Sequence, residues 1–168
     1  MDRKAFIKTG VCTSIGLTLF PTMLNASVQN DPEPFKTAMV KEFVIVGHSN
    51  INRVKEMLNE HPNLIYSRYD WGNGDFEEAI EGAGHVGNKE IANYLINQGA
   101  RVNLFVLTML GKTNLVRPIL EEYPHLLKAK GAHGLTLLHH AIAGGEDSKE
   151  LVDYLTEKGL TETKFKIK

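Results

Sequence analysis

Histidine is the residue type best placed to do chemistry in this chain: seven of its 168 residues are histidine. Neutral imidazole ligates metals, and the group exchanges protons near neutral pH. Zinc sites that announce themselves in sequence carry paired ligands at short fixed spacing, as in HxxxH or HExxH. His48, His61, His85, His125, His133, His139 and His140 contain no such pair. No metal and no other cofactor is therefore expected, and His48, His61 and His125 read as surface turn residues.

A second candidate is the group Asp70, Asp75, Glu77, Glu78 and Glu81 beside the only tryptophan, Trp71. Carboxylates next to an aromatic ring can form a sugar-binding or acid–base site. Against that, Asp75 stands three residues before Glu78, the spacing of a helix capping box, and the other acids suit a solvated face. Ser67, Ser148 and Thr163 lack the setting of a nucleophile elbow, and no phosphate-cradling GxxxxGK occurs. No catalytic residue is expected.

Helices must position these groups. Met39, Val40, Phe43, Val44 and Val46 recur at helical spacing behind Thr37, a capping residue, and stop at Gly47. A second helix runs through Val54, Met57 and Leu58 until Pro62 ends it. The next unit opens on a turn-rich finger at 69–74, followed by a helix from 76 to about 85, a stop at Gly87, and a helix over 90–96 closed by Gly99 and Ala100. In the third, Leu104, Leu107 and Thr108 point inward, Gly111 turns the chain, and a helix carrying Pro118 near its start ends at Pro124. The fourth pairs GLTLLHHAIAGG at 134–145 with a helix over 150–155, closed by Gly159. Phe165 and Ile167 in the basic tail 161–168 are available to cover an exposed end.

These units resemble one another. Ile91-Ala92-Asn93-Tyr94-Leu95 matches Leu151-Val152-Asp153-Tyr154-Leu155, each preceded by glutamate and followed by a glycine stop at equal distance. MLNEHPNL at 57–64 likewise matches ILEEYPHL at 119–126. Partners lie about 60 residues apart, near twice the roughly 33-residue ankyrin period. Thr136-Leu137-Leu138-His139 stands where that family has T-P-L-H, Ala141 fills its small-residue slot and Gly145 its turn glycine. The chain thus resembles an ankyrin-repeat protein over roughly 35–160, although the first helices of the first three units lack the tetrad.

The resemblance implies an all-α solenoid of about four helix-turn-helix repeats, in which Thr136 and His139 form a cap network. It also places a partner-binding surface on the concave face and the fingers: Tyr69, Trp71, His85, Phe105, Val106, Met109, His133 and His140. His140 and His85 would face the same side. Asp75 and Glu78 complete the expected structural caps.

Outside the repeats, Arg3, Lys4 and Lys8 precede a mildly apolar run at 10–20, Pro21 and the small pair Ala26-Ser27. This reads as an export signal, and residues 2–8 resemble the twin-arginine type with Lys4 as the second basic residue. The expected domains are a signal at 1–26, a linker at 27–36, the repeats at 37–160 and the tail. Cys12, the only cysteine, would leave with the signal, and no stable membrane anchor would remain. A formal charge of −1 gives no footprint for nucleic acid. The expectation is a monomeric, non-enzymatic, periplasmic or secreted module that binds a protein partner of unknown identity. The alternative is a small-molecule or hydrolytic site around Trp71, Asp75, Glu78, His85 and His140.

Overall fold

Eight α-helices and one small antiparallel hairpin make up the described part of the chain, residues 32–167 of a computed structural model. The expected export signal, Cys12 and the first half of the linker lie outside those residues. Among the described residues no helix is long and apolar enough to cross a membrane.

The helices come in consecutive pairs. α1 (Thr37–Val46) packs on α2 (Ile51–Glu60), α3 (Ala79–Val86) on α4 (Lys89–Asn97), α5 (Leu104–Met109) on α6 (Thr113–Glu122), and α7 (Leu137–Ala143) on α8 (Lys149–Glu157). The first members also touch one another in succession, α1 with α3, α3 with α5 and α5 with α7, and α3 reaches α7 directly. Short polar side chains start several of them. Asn50 accepts from the Arg53 amide (3.1 Å), Asn88 from Ile91 (3.1 Å), Asn103 from Val106 (3.0 Å) and Thr136 from His139 (3.3 Å), each satisfying an amide that helix geometry leaves unpaired.

Two expected starts are corrected. Lys36, not Thr37, occupies the N-cap of α1, and no side chain caps it. The third helix begins at Ala79, because Phe76–Glu78 forms strand β2 against β1 (Arg68–Asp70), in the register Arg68↔Glu78, Tyr69↔Glu77 and Asp70↔Phe76. The capping box is consequently Glu78 with Glu81, whose Oε2 accepts from the Glu78 amide at 2.8 Å. Asp75 caps nothing; its carboxylate is engaged by His133.

Apolar side chains fill two clusters, one centred on Phe43, Leu64, Ile80, Ile91, Leu95 and Met109, the other on Val116, Leu137, Ala141, Leu151 and Leu155. Val106 and Met109 have no solvent contact. Their place is the core, so neither belongs to a contact surface as the ankyrin resemblance implied; α5 turns this face onto α3. The tail runs back beside the fourth unit, with Thr136 donating through its backbone amide to the Thr163 carbonyl and Phe165 to that of Gly134. Phe165 packs on the second cluster, as expected of a cover.

Ala141 has no exposure and sits where α7 meets its neighbours. Ala141→Leu is expected to overpack this contact and lower the unfolding free energy by about 1–3 kcal/mol, read as a lower urea midpoint with an unchanged denaturant slope.

Candidate metal centre

The hairpin separates the acidic residues that look like one cluster in sequence. Gly72, Asn73 and Gly74 take positive φ values of 107°, 56° and 79°, and the Trp71 amide closes the turn on the Asp75 carbonyl at 2.8 Å. Strand geometry then sends consecutive side chains to opposite faces. On one face Glu78 meets Arg68 (Nε to Oε1, 3.3 Å) and neighbours Glu81, whose Oε1 accepts from Asn103 at 2.7 Å. Burial, followed by the Glu81 charge, pushes the Glu78 carboxyl above its ordinary value. Glu77 faces the other way.

The Glu77 side chain has no solvent contact, and four side chains surround it. His85 Nε2 lies 2.8 Å and His48 Nε2 3.4 Å from Oε1; Trp71 Nε1 donates to Oε2 at 2.8 Å, and His133 Nε2 stands 3.5 Å from that oxygen. The two imidazole nitrogens of His48 and His85 are themselves 3.0 Å apart. Burial is the largest single influence on Glu77 and pushes its pKa up. The hydrogen bonds from His48 and His85, the charge of His48 and the Trp71 bond together outweigh it and hold the pKa at about 2. The same Glu77 bond raises the His48 pKa, against the desolvation that lowers it.

Groups behind the cluster fix which atoms face inward. His48 Nδ1 lies 3.0 Å from the Val44 carbonyl and 3.1 Å from that of Ile45, acceptors that require Nδ1 to carry the hydrogen. Nε2 of the neutral ring then presents a lone pair to the centre. His133 repeats the arrangement through Asp75, which accepts from its amide at 2.7 Å and from Nδ1 at 2.8 Å. A carboxylate behind a histidine is the arrangement that orients metal-bound imidazoles. His133 is also one of two non-glycine residues with positive φ, 59°, among those described. Such a conformation persists where surrounding contacts over-determine it, and here both of its polar hydrogens are spoken for by Asp75.

Two glycines make the approach possible. A Cβ on Gly47 would come within 2.8 Å of the Ala79 Cα, and one on Gly82 within 2.7 Å of Cε1 in the His48 ring. Hydrogen in place of a methyl group lets the turn after α1 press against α3 and slide the imidazole over it.

His48 Nε2, His85 Nε2, His133 Nε2 and a Glu77 oxygen thus converge, with all ligand atoms within 4.8 Å of one another. Four ligands about 2.0–2.1 Å from a tetrahedral ion stand about 3.3–3.4 Å apart. Separations of 2.8, 3.0 and 3.4 Å among His48 Nε2, His85 Nε2 and Glu77 Oε1 lie at or below that spacing, and His133 Nε2 stands within 4.8 Å of the other ligand atoms. Three imidazoles and a carboxylate form a donor set suited to zinc and its divalent first-row neighbours.

Of the residues singled out in sequence, His85 and His133 are ligand candidates, Trp71 and Asp75 support them, and Tyr69 stacks edge-on against Trp71 with centroids 4.8 Å apart. Phe105 lies half-buried, its ring 5.1 Å from that of His140. His140 is 2% exposed and donates from Nδ1 to the Thr136 carbonyl at 2.8 Å, a buried brace and not a binding surface. Thr136 Oγ1 caps α7 by accepting from the His139 amide, while the His139 ring bonds the His85 carbonyl at 2.8 Å. His48 and Glu77, which complete the centre, had no local spacing to mark them. No protein-family model matches the chain, and no curated protein matches it.

Burial, the leading cause, lowers the His140 pKa from 6.5 to about 4, despite the Thr136 carbonyl bond that raises it. On acidification the unfolded chain takes this proton first, so the contribution to stability is complete above pH 6.5 and is lost toward pH 4. Over that window the unfolding free energy should fall more steeply, by roughly 1.4 kcal/mol per pH unit, than in His140→Gln, as measured by denaturation at a series of pH values.

Proposed function

We propose that the protein is an ankyrin-like helical stack that holds a divalent transition-metal ion, zinc or a close neighbour, between its hairpin, the turn after its first helix, its third helix and the segment before its last helix pair. The observation that carries this reading is the convergence of His48, His85 and His133 on a carboxylate with no solvent contact. Carboxylate and imidazole atoms this close must share protons when no ion is bound, and a cation would relieve the crowding of electron pairs. The contacts that neighbouring first helices make in succession support the repeat reading, as do the matched second-helix sequences.

Export is part of the same proposal. A donor set of nitrogen and oxygen, without thiolate, suits an oxidising compartment such as the periplasm. Exposed Trp71 and Phe76 on the finger would supply the rim that meets a protein partner.

Titration of metal-free protein with zinc, followed by calorimetry and thermal shift, is expected to give one ion per chain and a raised melting temperature. Glu77→Gln should abolish this stoichiometric binding. Asp75→Asn should weaken it by about 10–100-fold through loss of the His133 support, and Gly82→Ala should weaken it by displacing the His48 ring, each with helical circular dichroism retained. Binding equal to wild type in all three would exclude the site.

A further inference from the structure

The ligand cluster is closed on one side and open on the other. Glu77 and His85 form the inner side, with side-chain exposures of 0% and 13%; His48 and His133 form the outer side, at 24% and 30%. The outer pair lines a cleft of about 420 Å³ together with Ile45, Ser49 and Trp71. The Trp71 indole also occupies Glu77 Oε2. That bond favours ligation through Oε1 alone, and so leaves the carboxylate short of the second oxygen with which it could fill another coordination position.

We infer, resting on the metal reading above, that the bound ion takes a fifth ligand from the side of this cleft and that this ligand is a small organic carboxylate with an apolar or aromatic body. A zinc-type ion held by four ligands can expand to five-coordinate, and the cleft is the side on which a fifth ligand has room. Charge selects the sign: a divalent ion against the single Glu77 carboxylate leaves a net positive centre, while Asp75 sits behind His133 on its Nδ1 side. No acidic residue lines the cleft. The Lys41 ammonium, outside the cleft lining, stands 5.4 Å from the centroid of Tyr69 and 5.6 Å from that of Trp71. Shape selects the remainder, since the Ile45 side chain and the indole provide apolar walls and the Ser49 hydroxyl a hydrogen-bond donor.

Cobalt(II) reports both steps separately, because its visible bands register binding and change when coordination number changes. Metal-free protein would first be titrated with cobalt, and the loaded protein then with acetate and with phenylacetate. The expected result is a cobalt spectrum that shifts on carboxylate addition, with phenylacetate binding about tenfold tighter than acetate through burial of its ring. Ile45→Glu should reduce the phenylacetate response by about tenfold or more, since it places a like charge in the cleft. A cobalt spectrum indifferent to both carboxylates would overturn this inference and leave the metal reading intact. A carboxylate response of equal strength in Ile45→Glu would also overturn it, by removing the ligand from the cleft. Failure of cobalt to bind at all would sink the metal reading and this inference with it.

Discussion

A carboxylate with no access to water must be compensated by the protein, and Glu77 imposes that demand on the surrounding elements. An uncompensated buried charge costs several kcal/mol even after relaxation. Its partners come from separate parts of the chain: the turn after α1 supplies His48, the hairpin turn Trp71, α3 His85 and the segment before α7 His133. Displacing any of these segments would remove a polar partner from the charge. The geometry of the hairpin, the late start of α3 and the seating of the first helix pair are therefore linked through one side chain.

Small residues supply the room this linkage requires. Gly47 and Gly82 bring the first two helix pairs close enough for an imidazole to lie across α3. Ser148 then braces the last pairs, its hydroxyl within 2.9 Å of the Thr108 carbonyl and 2.8 Å of that of Met109. Apolar burial drives the stacking, but these polar bonds set how the pairs sit, because a buried hydroxyl or carbonyl left unmatched costs more than a matched one returns.

The helical class and much of its punctuation were legible in the sequence. The helix expected over 90–96 is observed as Lys89–Asn97, and Gly87, Gly99 and Gly111 take the positive φ that a helix stop favours. The hairpin was not legible, for a physical reason: Asp75 with Glu78 and Glu78 with Glu81 offer the same capping spacing. Strand pairing across Gly72, Asn73 and Gly74 decides between them by holding 76–78 extended. The ankyrin resemblance set Met109 and Val106 on the surface, and periodicity over a six-residue helix defines too little of a face to oppose it. The ligand set was hidden more thoroughly. His48 and His85 are 37 positions apart, and Asp75 and His133 are 58 apart, so only tertiary packing creates the site.

Those long separations bear on how the molecule comes apart. Stacked helix pairs held only by neighbours can open from either end, one pair at a time. The paired bonds that Asp75 accepts from the backbone and ring of His133 skip α5 and α6 in sequence and fasten the hairpin to the segment before α7. Peeling the last pair away must break that clasp and expose the Glu77 charge in the same event. Partial opening thereby acquires a cost at a distance, which favours all-or-none unfolding of the helix pairs.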